Sequence, residues 1–209
     1  MNKHLSLLTA ALLLTGASSA FAASQTDLKV TGTITPVACE PTLANGGVVD
    51  YAKISFKDLN ETTPTVLGVE TIQLTVSCTA SAQFAISTID NRPGTSFVPA
   101  QMGLGLINGT EKLGTYQLGF KNPVADVPVR IMSSYNEGDT WSEFFDDGSM
   151  ATNDWIAFGN NTSGTWTPEF VENVTVDMWL HTQIAPTNSL TLTDEVKLDG
   201  NATLQIKYL

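Results

Sequence analysis

Apolar residues along this chain recur mostly at every second position, and Gly, Asn, Asp or Pro interrupts the alternation every ten or so residues. A period of two belongs to strands with one buried face, and regular punctuation by turn residues is the mark of a sandwich or barrel. The first alternating stretch places Leu28, Val30, Gly32 and Ile34 on one face and Lys29, Thr31, Thr33 and Thr35 on the other. Pro36 weakens pairing after it, because proline has no N–H to donate. Further strands are predicted at Ala52–Phe56, at Val69–Cys78 with Ile72, Leu74, Val76 and Cys78 on one face, and at Phe84–Ile89. Asn91-Arg92-Pro93-Gly94 reads as a turn. Leu104–Ile107 and Tyr116–Lys121 read as a hairpin about Asn108-Gly109, and Val127–Met132 as the next strand.

From Ser133 to Thr167 the pattern changes to a stretch rich in Asn, Asp, Gly, Ser and Thr, carrying Trp141, Phe144, Phe145, Trp155, Phe158 and Trp166. Within it Trp155–Phe158 is expected to be a strand and the rest long loops, a length that marks function or mobility. Alternation resumes at Val174, Val176, Met178 and Leu180, then at Leu190, Leu192, Val196 and Leu198. It ends with Ala202, Leu204, Ile206 and Tyr208 on one face and Thr203, Gln205 and Lys207 on the other. The expected fold class is all-β.

The opening residues set the compartment. Lys3 and His4 precede an apolar run from Leu5 to Leu14, and Ala20-Phe21-Ala22 supplies the small residues that signal peptidase accommodates. Residues 1–22 therefore read as a signal peptide, and that run is too short for a permanent span. The rest, 23–209, suits one domain of sandwich size. With Lys+Arg 10 against Asp+Glu 21, all the acid falling after the signal segment, the surface is acidic, which argues against nucleic acid or anionic membrane as partners. Cys39 and Cys78 are the two cysteines, and an even pair in an oxidising compartment is expected to form a disulfide.

The signal segment, the 27–34 stretch leading to Cys39, the second cysteine ending a strand, and a closing alternating strand with Tyr208 as penultimate residue together resemble the pilin superfamily assembled by the chaperone–usher route. One departure is Val196, at a place where pilins often carry glycine. The resemblance implies an immunoglobulin-like (pilin-type) sandwich over 36–209 that lacks its last strand, and a donor-strand extension over 23–35. It implies that Leu28, Val30 and Ile34 enter a neighbouring subunit's groove, with Gly32 where that groove is shallow. Ala202, Leu204, Ile206 and Tyr208 would border this chain's own groove and form the edge a chaperone pairs with. The implied partners are a periplasmic fimbrial chaperone, an outer-membrane usher, neighbouring fimbrial subunits, and a host glycan or protein receptor in adhesion. The implied destination is a fimbrium at the cell surface.

Other residues offer competing chemistry. His181 is the one histidine after cleavage, and no G-x-S-x-G turn exists for a nucleophile. Glu137, Asp139, Glu143, Asp146 and Asp147 are candidates for calcium or glycoside hydrolysis, though their spacing is not that of an EF-hand and solvated carboxylates are common. Trp141, Trp155 and Trp166 are candidate glycan contacts. They would define the alternative reading, a self-complete extracellular carbohydrate-binding module; the competing account packs these rings onto the sandwich. No cofactor, metal or enzymatic activity is expected.

Overall fold

The computed structural model describes residues 28–32 and 36–209. The chain divides into two units, Met1–Thr35 and Pro36–Leu209. The signal peptide, most of the 23–35 extension and Ile34 lie outside the described residues. Residues 28–32 belong to no strand, with Leu28 89% and Val30 86% exposed. The strand expected there is thus absent over its described part, and an isolated strand has no reason to form, because its stability comes from a ladder.

Unit two is an all-β sandwich. Its strands are β1 (Cys39–Leu43), β2 (Thr65–Ala82), β3 (Phe84–Asp90), β4 (Met102–Gly103), β5 (Leu106–Ile107), β6 (Glu111–Lys112), β7 (Gly114–Ala125), β8 (Arg130–Ser134), β9 (Ser142–Glu143), β10 (Trp155–Asn160), β11 (Thr167–Pro168), β12 (Val171–Ile184) and β13 (Ala202–Tyr208). One sheet has the order β1-β2-β12-β7-β4 and the other β13-β3-β10-β8-β9, with β11 beside β10 and β5-β6 a separate ribbon. The order β1-β2-β12-β7 matches the A-B-E-D sheet of an immunoglobulin-like sandwich, and β13 pairs β3 as F pairs C. The place of strand G, beyond β13, holds no strand among the described residues.

The inward positions of β2, Ile72, Leu74, Val76 and Cys78, are buried as their alternation requires. They meet Phe84 and Ile86 of β3, Phe120 of β7, Ile156 and Phe158 of β10, and Val174, Val176 and Met178 of β12 in one core. The Cys39–Cys78 disulfide joins directly opposed residues of β1 and β2. Gly119 is required by close approach, since a Cβ there would lie 2.1 Å from the Trp179 ring.

Several expected elements differ. Ala52–Phe56 is not a strand: Ala52 sits at φ 53 with its N–H bonded to Asp50 Oδ1, and Ser55 caps a 3-10 turn at Phe56–Asp58. Local side-chain bonds here offer the backbone an alternative to a ladder. Asn108-Gly109 does turn a hairpin, with φ of 50 and 75, but it joins β5 to β6, while β7 runs between β12 and β4. Leu190 to Leu198 forms no strand; Leu190, Leu192, Val196 and Leu198 are half-buried against the core, and Glu111 takes the N–H and hydroxyl of Thr191. The 133–167 stretch holds more than one strand, since β9, β10 and the first residue of β11 lie in it and β10 is central to its sheet. The strand expected at Val127–Met132 is β8, shifted to Arg130–Ser134.

Candidate functional site

The last strand leaves one edge open. The N–H of Asn91 donates to the Asn201 carbonyl at 2.9 Å and that of Leu209 to Gln83 at 3.1 Å. Because bonded and non-bonded pairs alternate in an antiparallel ladder, Thr203, Gln205 and Lys207 bond to β3. The N–H and C=O groups of Ala202, Leu204, Ile206 and Tyr208 then point to the other side, where β13 has no pairing strand among the described residues. Ala202, Leu204 and Ile206 also turn their side chains toward the core, where each is half-buried.

Beside that edge lies a groove of about 750 Å³. One wall is formed by Leu43, Val49, Tyr51 and Ile54, and the other by Leu192, Val196, Leu198, Ala202 and Leu204. Its floor is Tyr116 and Leu118 of β7 with Met178, Leu180, Thr182 and Ile184 of β12. A smaller cleft of about 390 Å³ shares Leu43, Ala202 and Leu204 with it and extends to Pro41 and Leu74. Charged groups, Asp50, Lys53, Asp194, Glu195 and Lys197, are confined to loops along the groove. Burial raises the Tyr51 phenol above its ordinary value, against the opposing hydrogen bond to Thr182. Burial pushes the Tyr116 phenol higher still, aided by the charge of Asp90.

The two walls differ in hydrogen-bonding capacity. On β1 the N–H of Thr79 bonds to the Ala38 carbonyl, so by the same alternation Cys39, Pro41 and Leu43 face away from β2. Pro41 has no N–H to offer, and the N–H of Cys39 donates to Tyr208 Oη at 2.7 Å. A continuous row of backbone groups is therefore presented by β13 alone. An extended apolar segment laid along it gains a ladder on one side and pockets for alternate side chains beneath, the geometry of strand addition.

Of the residues singled out in the sequence, Ala202 and Leu204 line the groove, Ile206 continues their face, and Tyr208, 53% exposed, closes the row. Leu28, Val30 and Gly32 are exposed, and a Cβ on Gly32 would meet nothing within 4 Å. Trp141, Trp155 and Trp166 come together over the buried Ala85, Met132 and Ala157 in a second hydrophobic cluster. Arg130 stacks on Trp166 at 5.2 Å, and Lys207 lies 5.9 Å from the Trp155 ring. His181 Nδ1 sits between the side-chain amides of Gln117 and Gln183. The acidic residues of the 137–147 stretch do not converge: Glu143 pairs with Arg130, and among the described residues no three His, Cys, Asp or Glu side chains are placed to hold a metal ion. Sequence reasoning missed the Leu43–Ile54 wall, which lies largely in a loop without periodicity. Tyr116, Leu118 and Leu180 of the floor were within reach of the alternation in β7 and β12.

Residues 28–103 match the family described as "Protein of unknown function (DUF1120)". The match includes the 28–32 segment, both cysteines, and β1 to β4. The chain is 26% identical to Protein GltF of Escherichia coli (strain K12), over an alignment covering 95% of each chain. It is also 26% identical to "Uncharacterized protein YhcF" of the same strain, over 92% of this chain and 94% of that one. The similarity to these two Escherichia coli proteins thus extends over nearly the whole chain.

Proposed function

We propose that this protein is a structural subunit of a bacterial surface fimbria, exported through the periplasm and polymerised by donor-strand exchange. The observation that carries the reading is the open edge of β13 beside an apolar groove. In this reading a periplasmic chaperone occupies the edge first, an outer-membrane usher receives the complex, and the amino-terminal segment of another subunit then replaces the chaperone. The fibre contributes to cell adhesion, and the subunit itself catalyses nothing.

Dimensions and energetics support this reading. Residues 28–34, fully extended, span about 20 Å at the usual strand rise, the length of the seven-residue β13. Leu28, Val30 and Ile34 fall on one face, and burying each stabilises a complex by roughly 1.5–3 kcal/mol. The backbone ladder adds to that. Such a contact is heterologous, head to tail, and propagates as a fibre. The signal segment read in the sequence and two relatives in Escherichia coli fit a periplasmic or fimbria-like protein.

Complementation between two defective subunits tests the proposal. Val30→Asp spoils the donor, and Leu204→Asp places a charge in the groove. Co-expressed with a fimbrial chaperone, the wild-type chain is expected to form non-covalent multimers and each variant to stay single. Mixed together, the variants should form one-to-one pairs and nothing larger, because one intact donor meets one intact groove. Multimers of Val30→Asp as long as those of the wild type would rule the proposal out.

A further inference from the structure

We infer that residues 48–53 form a removable cover over the groove, which an incoming strand must displace. This rests on the strand-acceptor reading above and adds a regulated step to it. After β1, Asn45, Gly46 and Gly47 all take left-handed φ values, 52, 63 and 76, and turn the chain sharply away from its strand. The chain then runs along the groove, where Val49, Tyr51 and Ala52 join its lining.

The polar fastenings of this segment are few. Tyr51 Oη donates to Thr182 Oγ1 at 2.9 Å, on a floor residue only 2% exposed. Lys53 Nζ lies 3.4 Å from Glu195 Oε2, which belongs to the opposite side of the groove, so an ion pair links the two sides. That pair is almost wholly exposed, and such pairs hold weakly. Ala52 is at φ 53, a conformation that strains a non-glycine residue and eases once the segment is released. No strand forms between residues 48 and 64 among the described residues, so nothing there competes with a ladder on β13. A donor brings that ladder together with its apolar anchors; the cover brings the half-buried Val49 and Tyr51 side chains, one part-buried hydroxyl contact and one surface ion pair, and no ladder. The segment therefore shields Thr182 and the floor while the subunit is free, and yields when a donor arrives.

The rate of capture of a labelled peptide of residues 27–35 reads this out, using the exported chain with Val30→Asp to silence its own donor. Removing the Tyr51 hydroxyl weakens the covered state alone, so Tyr51→Phe should accelerate capture by about fivefold, the equivalent of one hydrogen bond. Lys53→Glu should also accelerate it, and adding Glu195→Lys should return the rate to that of the parent. That reversal depends on the charges and is tolerant of folding, since both positions are on the surface. If the peptide binds the parent but the Tyr51→Phe and Lys53→Glu rates are unchanged or slower, the cover is no gate and the acceptor groove stands. If the peptide binds none of these proteins, both readings fall.

Discussion

The hydroxyl of Tyr208, next to the last residue, accepts a hydrogen bond from the backbone N–H of Cys39 at 2.7 Å. One bond thus ties the final strand to the strand that carries the disulfide, across the space between the two sheet edges. Tyr208→Phe keeps the ring and removes the acceptor. The site is exposed to solvent, so the loss should be small, about 0.5–1 kcal/mol, read as a lower urea midpoint at constant slope. An unchanged midpoint would show that the hydroxyl does not hold the two strands together.

The disulfide should matter far more. Cys39 and Cys78 are 39 residues apart in sequence, and closing a loop of that size is worth about 4 kcal/mol on the chain-entropy estimate. Cys39→Ala with Cys78→Ala should therefore lower stability by that order in chemical denaturation. It should also loosen β1, which pairs with β2 alone, and with it the Leu43 wall of the groove. A stability loss below about 1 kcal/mol would mean that β1 is held by its ladder and Tyr208 instead.

How legible this was depends on what the alternation reported. Ala202–Tyr208 could be read to the residue, because its inward side chains meet the core and its outward ones meet water. The same rule placed Ile72, Leu74 and Val76. It misled at Leu190 to Leu198, where alternate residues are half-buried but the backbone bonds elsewhere, since a period of two records burial and not pairing. β1 was hidden by Pro41, which argues against a strand until its nitrogen is seen to face away from β2, where no ladder bond is lost. Tyr51 lies in an aperiodic loop, and only the fold brings it to Thr182. The pairing of Cys39 with Cys78 needed no fold at all, only the compartment and the count.

Asp126 should make one end of the sandwich sensitive to acid. Its carboxylate accepts N–H bonds from Asn173 at 3.1 Å and from Glu172 at 3.1 and 3.3 Å, clasping β12 where its register shifts between Val171 and Asn173. The N–H of Asn173 chiefly holds its pKa below the ordinary 3.8 against an opposing desolvation, and that of Glu172 adds a lesser share. A depressed folded pKa gives stability that is fully present above the unfolded value and is lost as pH falls through the folded one. Asp199, held down by the Arg92 guanidinium, carries the same sign. Asp126→Asn should thus lower the melting temperature at neutral pH, and its difference from wild type should shrink as the pH drops below 3.8. A difference that stays constant through that range would show that the clasp does not depend on charge.

The tryptophan cluster separates packing from sugar recognition. In one row across the second sheet, Ala85, Ala157 and Met132 present small or flexible side chains, and all three are fully buried. Trp141, Trp155 and Trp166 pack against them, and each ring keeps part of its surface in contact with water. If the rings are there to seal this depression, truncation opens it, and a large aromatic lost from a packed site costs about 3 kcal/mol. Trp155→Ala is therefore expected to lower the urea midpoint substantially. Trp141→Ala and Trp166→Ala should each do so to a smaller degree, with no glycan retention to lose. A sugar platform behaves in the opposite way, since stacking on an exposed indole face adds nothing to the fold. Wild-type retention on immobilised glycans, abolished by Trp141→Ala or Trp166→Ala at an unchanged midpoint, would establish that platform and displace the packing account.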